Sequence, residues 1–196
     1  MNSCPFCELD KHDISNTIIE ETNNFIITPT KGSLVVGYLL IIPKKHITSM
    51  NELDNMQKAE LKELINKYRL LFYNIFGRYP IFFEHGTSIN DINNSASSVT
   101  HAHLHIVNHN FKNEKNILRD MFFNKVNETK YFENNQKSYI SYISPNRDYY
   151  ITYNYEAKSQ QMRLYVAEDL NISDQYDWKS TNFNENIINT IKLLKQ

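Results

Sequence analysis

Three histidines separated by single residues, His101, His103 and His105, are the side chains in this chain best able to do chemistry. The stretch Ser98 to Val107 is apolar and β-branched, which predicts a strand with a side-chain period of two. On that reading the three imidazoles share one face, and Ala102, Leu104 and Ile106 face the core. Alternate Cα atoms on a strand lie roughly 6.7 Å apart, so a row of three rings can reach one bound group. Two chemistries fit. His-x-His on a strand presents two imidazoles to zinc. Alternatively, one neutral imidazole attacks phosphorus while its neighbours orient and protonate around it, and the phosphoramidate formed is labile enough for a second displacement. The spacing leaves both open.

Several elements must position this row. The apolar run Leu39–Ile42, ended by Pro43, suits a strand buried on both faces, with His46 on the turn beyond it. Ile18–Glu20 and Phe25–Thr28 read as short strands joined at Thr22-Asn23-Asn24. Asn51 to Phe76 is the clearest helix: Leu61, Leu64, Ile65, Tyr68, Leu71, Phe72 and Ile75 make one apolar face. Ser49 or Asn51 suits its N-cap and Gly77 its C′ position. Ile81–Glu84 is the next strand, followed by His85-Gly86 and a polar loop that leads to Ser98. Beyond the histidines, Lys112–Val126 reads as helical. Tyr139–Ile143 and Tyr149–Tyr155 read as a hairpin turned at Pro145-Asn146-Arg147-Asp148, and Gln160–Leu170 and Asn184–Leu194 as amphipathic helices.

Three motifs carry a family resemblance. His101-Ala102-His103-Leu104-His105-Ile106-Val107 resembles the His-φ-His-φ-His-φ-φ motif of the histidine triad nucleotide hydrolases and transferases. Gly37-Tyr38-Leu39-Leu40-Ile41-Ile42-Pro43-Lys44-Lys45-His46 resembles that family's second hallmark. Cys4-Pro5-Phe6-Cys7 matches the N-terminal Cys-x-x-Cys of its zinc-containing members. The resemblance implies an α+β histidine triad fold with an antiparallel sheet of about five strands, a long packed helix and a C-terminal helical and hairpin addition. It divides the chain into a catalytic core, 1–111, and an extension packed on it, 112–196, in which Ser159-Gln160, Arg163 and Trp178 are landmarks.

The resemblance also implies roles. His103 is the position of the attacking histidine, and His105 and Ser98 resemble the residues contacting phosphate oxygens and the leaving group. Cys4, Cys7, His46 and His101 would make a closed Cys₂His₂ set, as in the related galactose-1-phosphate uridylyltransferases, holding a structural zinc. The alternative is a metal-free site in which His46 and His101 hydrogen-bond around the nucleophile. Thr30 stands where relatives contact ribose, Tyr38 replaces a common histidine, and Glu84 stands where an asparagine commonly approaches phosphate. The implied function is cleavage of a nucleoside phosphoanhydride or phosphoramidate, adenosine being the usual base, through a nucleotidyl-histidine. Two other readings stand beside it: a decapping or deadenylation repair enzyme with the same triad, and a nucleotide-binding adaptor. A two-fold homodimer is a further implication.

Composition bounds the partners. The chain has 196 residues, a net charge of −1 and 41% hydrophobic residues, enough for one domain with a full core. That charge argues against electrostatically driven binding to nucleic acid or membrane, and Lys44 and Lys45 read as solvated. No apolar run approaches the roughly 20 residues of a membrane span. The N-terminus lacks a basic-then-apolar signal pattern, so a cytoplasmic location is expected. The two cysteines, Cys4 and Cys7, are too close to frame a disulfide scaffold and read as metal-binding, redox-active or incidental.

Overall fold

Alternation along three adjacent strands sorts the side chains onto the two faces of one sheet. In the computed structural model, which describes residues 4–10, 12–134, 136–154 and 156–195, these strands are β3 (Tyr38–Pro43), β4 (Ile81–Gly86) and β5 (Leu104–Val107). Leu39, Ile41, Phe82, Leu104 and Ile106 face one way, into a core with α1 (Asn55–Phe76). Tyr38, Ile81, Phe83 and Val107 face the other way, against α2 (Glu114–Asp120) and α4 (Gln161–Asp169). Each such apolar side chain, fully buried, contributes about 1.5–3 kcal/mol.

The long helix, expected from Asn51, starts at Asn55. Ser49 caps a short 3-10 turn over Met50–Glu52, and Asp54 then caps α1 in a capping box with Gln57. Two good caps five residues apart divide what reads as one start. Gly77 ends the helix at φ +70, where its amide donates to the Tyr73 carbonyl.

Among the described residues the sheet has eight strands rather than about five, all antiparallel to their neighbours. The other five are β1 (Glu20–Glu21), β2 (Phe25–Pro29), β6 (Asn124–Val126), β7 (Tyr139–Ile143) and β8 (Tyr149–Thr152), and the spatial order is β1-β2-β3-β5-β4-β7-β8-β6. The aromatic hairpin of β7 and β8 does not stand apart. β7 pairs along the free side of β4, from Phe82↔Ile143 to Gly86↔Tyr139. Tyr155, the expected end of the second hairpin strand, lies outside the described residues. The helix expected over Lys112–Val126 stops at Asp120. Phe122 takes φ +55, and Asn124–Val126 then pairs with β8 as its edge neighbour. Among the described residues the remaining α-helices are α3 (Glu128–Tyr131) and α5 (Asn184–Leu194). No helix among the described residues is long and apolar enough to cross a membrane.

Candidate active site and metal centre

The histidine row is only half a strand. Ladder pairing begins at Leu104, so His101 and His103 lie on the extended entry to β5, and only His105 sits in the sheet, opposite Leu40 and Phe83. The alternation persists all the same: Ala102, Leu104 and Ile106 enter the α1 core, while His103 and His105 line a cavity of about 280 Å³ on the opposite face.

His101 goes to a separate cluster. The ligand atoms of Cys4, Cys7, His46 and His101 all lie within 4.8 Å of one another. Sγ of Cys7 is 3.2 Å from Nδ1 of His46 and 3.5 Å from Nδ1 of His101, and Sγ of Cys4 is 3.4 Å from the same His101 atom. A tetrahedral zinc with standard bond lengths separates sulfur and nitrogen ligands by about 3.6 Å, so the four donors fit zinc in type and spacing. The local chain explains the gathering. The Ala102 amide donates to the Ile47 carbonyl at 2.7 Å, which places His46 beside His101. Nε2 of His101 hydrogen-bonds the Pro43 carbonyl at 2.8 Å, which fixes the tautomer that leaves Nδ1 for metal. Phe6, inside the cysteine turn, sets its ring edge-on to His101 and His103, with centroids 5.8 and 5.2 Å away. The Cys/His cluster and the cavity thus share a wall.

In the cavity, Nδ1 of His103 hydrogen-bonds the His101 carbonyl at 2.7 Å. A carbonyl only accepts, so Nδ1 carries the proton and Nε2 keeps its lone pair. Burial, opposed in part by that carbonyl bond, pushes the His103 pKa down to about 4, so the ring is neutral near pH 7. His105 is held well below the usual histidine value, chiefly by burial and then by the neighbouring His103. Nδ1 of His105 is 3.0 Å from the Tyr38 hydroxyl, and its ring stacks on Phe83 at 4.4 Å. Burial pushes the Tyr38 phenol up to about 12, so it remains protonated. Tyr38 therefore occupies the site as a partner of His105.

Ser98 lines the cavity, and its Oγ accepts from Nε1 of Trp178 at 3.0 Å. Thr30 lines it too. Glu84 does not. Its side chain follows Phe82 to the α1 side, where it accepts from the Met50 amide and the Tyr139 hydroxyl. Its neighbour His85 takes the cavity face, because the strand period puts alternate residues there. Lys44 is drawn to Glu21 at 2.7 Å, on the surface. His85, Asp13 and Asn16 also line the cavity, and no signal in the sequence singles them out. Gln160, Arg163 and Trp178 line it from the extension, where the sequence marks them as landmarks. The chain there crosses Gly32, whose φ of +62 and absent side chain let Trp178 and Arg163 come close.

A family model described as scavenger mRNA decapping enzyme C-term binding matches residues 3–121. Among solved structures the chain is similar to a hypothetical protein from Leishmania major, with 26% identity over 53% of this chain and 71% of that one, at a TM-score of 0.44. It is also similar to a Zn-bound histidine triad family protein from Mycobacterium smegmatis (21% identity, 54% of this chain and 73% of that one, TM-score 0.44). A third is an HIT family hydrolase from Legionella pneumophila (21% identity, 56% and 96%, TM-score 0.44). The family match spans more than half of the chain and contains the cysteine turn, His46 and all three histidines of the triad, so the chain belongs to the scavenger decapping C-terminal family of histidine triad proteins.

Proposed function

We propose that the protein is a hydrolase or nucleotidyltransferase that cleaves a nucleoside phosphoanhydride or phosphoramidate through a covalent nucleotidyl-His103. The observation that carries the reading is the His101 carbonyl on Nδ1 of His103, with the same ring lining the cavity. Nε2 attacks the α-phosphorus and forms an N–P bond, while the bond from phosphorus to the leaving group breaks and its electron pair leaves with that group. A phosphate leaving group departs as an anion and needs no proton, whereas the amine of a phosphoramidate takes one proton from solvent as it leaves. The adduct is cationic, because Nδ1 keeps its proton on the carbonyl, so nitrogen is a ready leaving group for water. Water then adds at phosphorus, a nucleoside monophosphate leaves, and one proton passes to solvent as neutral His103 returns. His105 and Ser98 hold phosphate oxygens and the leaving group. The Tyr38 hydroxyl on Nδ1 of His105 leaves Nε2 as the nitrogen offered to substrate.

Cys4, Cys7, His46 and His101 would hold zinc as a closed set with no position for water, and the bound metal supplies structure. Within this reading residues 1–111 are the catalytic core, and 112–196 an extension that completes the cavity. Diadenosine polyphosphates and adenosine phosphoramidates, carried with a label on the α-phosphate, test the mechanism. An acid-labile label on His103 is expected, and its absence during turnover overturns the covalent route.

The family match favours one alternative substrate, a cap dinucleotide of the decapping type. Release of a nucleoside monophosphate from a cap dinucleotide in preference to diadenosine polyphosphates would establish it. The same His103 adduct is expected in both cases.

A further inference from the structure

Arg163 lies in the first turn of α4, 2% exposed, on the wall of the cavity. Its Nε donates to the Tyr176 carbonyl at 3.0 Å and its Nη2 to the Gly32 carbonyl at 2.7 Å. Its Nη1 is buried and has no hydrogen-bond partner. Both partners are neutral, so neither balances the guanidinium charge. A buried cation with an unpaired donor is unfavourable unless an anion completes it. The fork is nevertheless rigidly placed: two carbonyls hold it, and Cζ lies 5.3 Å from the Tyr38 ring centroid.

One feature beside Arg163 favours an anion as well, although Glu8, Asp10 and Asp13 also line the cavity and Asp177 lies close enough to feel the guanidinium charge. Gln160, just before α4, lines the cavity with Arg163, so the positive end of a nine-residue helix opens on it. The Met162 amide, also in that first turn, already donates to Nε2 of His85 at 3.4 Å. His103 and His105 stand on the same cavity.

We propose that Arg163 is a substrate-binding residue whose Nη1 donates to a phosphoryl oxygen of the nucleotide, so that the C-terminal extension contributes to phosphate recognition. This rests on reading the cavity as the site of a nucleotide phosphate. The competing role is a structural pin between Gly32 and Tyr176.

Calorimetric titration of the zinc-loaded protein with AMP and adenosine, and with GMP and guanosine, separates the two. Wild type should prefer the monophosphate. Arg163→Met should reduce that preference by roughly 10- to 100-fold, the worth of one charge-assisted hydrogen bond, with nucleoside affinity retained. Arg163→Lys, which keeps charge but loses the fork, should fall between. Folded variants with the wild-type ratio overturn the inference and leave the phosphate reading intact. A wild type with no preference for either monophosphate overturns both. Should neither variant fold, wild-type protein with ¹⁵N-labelled arginine decides: Arg163 side-chain signals must shift with AMP and not with adenosine, and unmoved signals overturn the proposal.

Discussion

A nucleophilic imidazole must be neutral and held in one tautomer, and His103 meets both conditions through burial and one backbone carbonyl. Replacing it removes the attacking atom but few packing contacts, since Ala102 and Leu104 carry the core side of the chain there. His103→Ala should lower kcat by about three orders of magnitude or more with little change in melting temperature, as read by steady-state assay and a thermal scan. Tyr38→Phe removes the partner of Nδ1 of His105 and leaves a buried ring able to change tautomer. A three- to tenfold fall in kcat, roughly the worth of a neutral hydrogen bond, is the expected result. At this scale the sequence was informative where chemistry repeats at a fixed spacing: the triad and the cysteine turn could be read directly. Tyr38 was visible only as a departure from a motif, and its bond to His105 depends on β3 pairing with β5, which no local pattern encodes.

Elements decide which side of the sheet a residue serves. Glu84 and His85 are neighbours, and one strand register sends the first to the α1 core and the second to the cavity. The motif alone points to Glu84 near phosphate because it fixes position but not face. Burial, partly offset by Tyr139 and the Met50 amide, raises the Glu84 pKa to about 7. The folded protein therefore keeps the proton between the unfolded value near 4.5 and about 7. Stability contributed by the protonated form is present below pH 4.5, falls as pH rises, and is lost above about pH 7, a change of at most about 3 kcal/mol. Glu84→Gln can accept from Met50 and donate to the Tyr139 oxygen without charge. It should melt above wild type at pH 8, with the difference vanishing near pH 4. An equal difference at both pH values would refute the assignment. Gly32 controls a second element, the segment carrying Trp178. A Cβ there meets the Trp178 Cα at 3.0 Å and Nη2 of Arg163 at 3.2 Å, on a backbone of positive φ. Gly32→Ala should weaken nucleotide binding by displacing that segment, with zinc content unchanged. The contact joins residues remote in sequence, which is why helix periodicity over 160–170 gave no hint of it.

Across the whole molecule, the four clustered side chains of Cys4, Cys7, His46 and His101 join the N-terminal turn to the loop after β3 and to the approach to β5. Purified protein should carry about one zinc per chain, since the donor set is closed. Cys7→Ala, or chelation, should remove it and lower the melting temperature by about 10 °C, equivalent to a few kcal/mol in a chain of this size. Activity should follow as Phe6 and His101 release His103. Metal analysis beside a melting curve distinguishes this from an open catalytic site, where rate disappears and melting does not change.

The pairing of β4 with β7 sets the order in which the chain can be finished. Until Tyr139–Ile143 has been made, the backbone of Ile81–Gly86 keeps one side without its hydrogen-bond partners, next to Phe82 and Phe83. Such an apolar edge is a template for any other extended chain. A ribosome that has produced every triad histidine still holds a nascent chain prone to self-adhesion, and release at residue 111 should give insoluble material even though that piece contains the whole histidine motif. Once the last strands are in place, the sheet ends in β1 and β6, two and three residues long, too short to recruit a neighbour by backbone pairing.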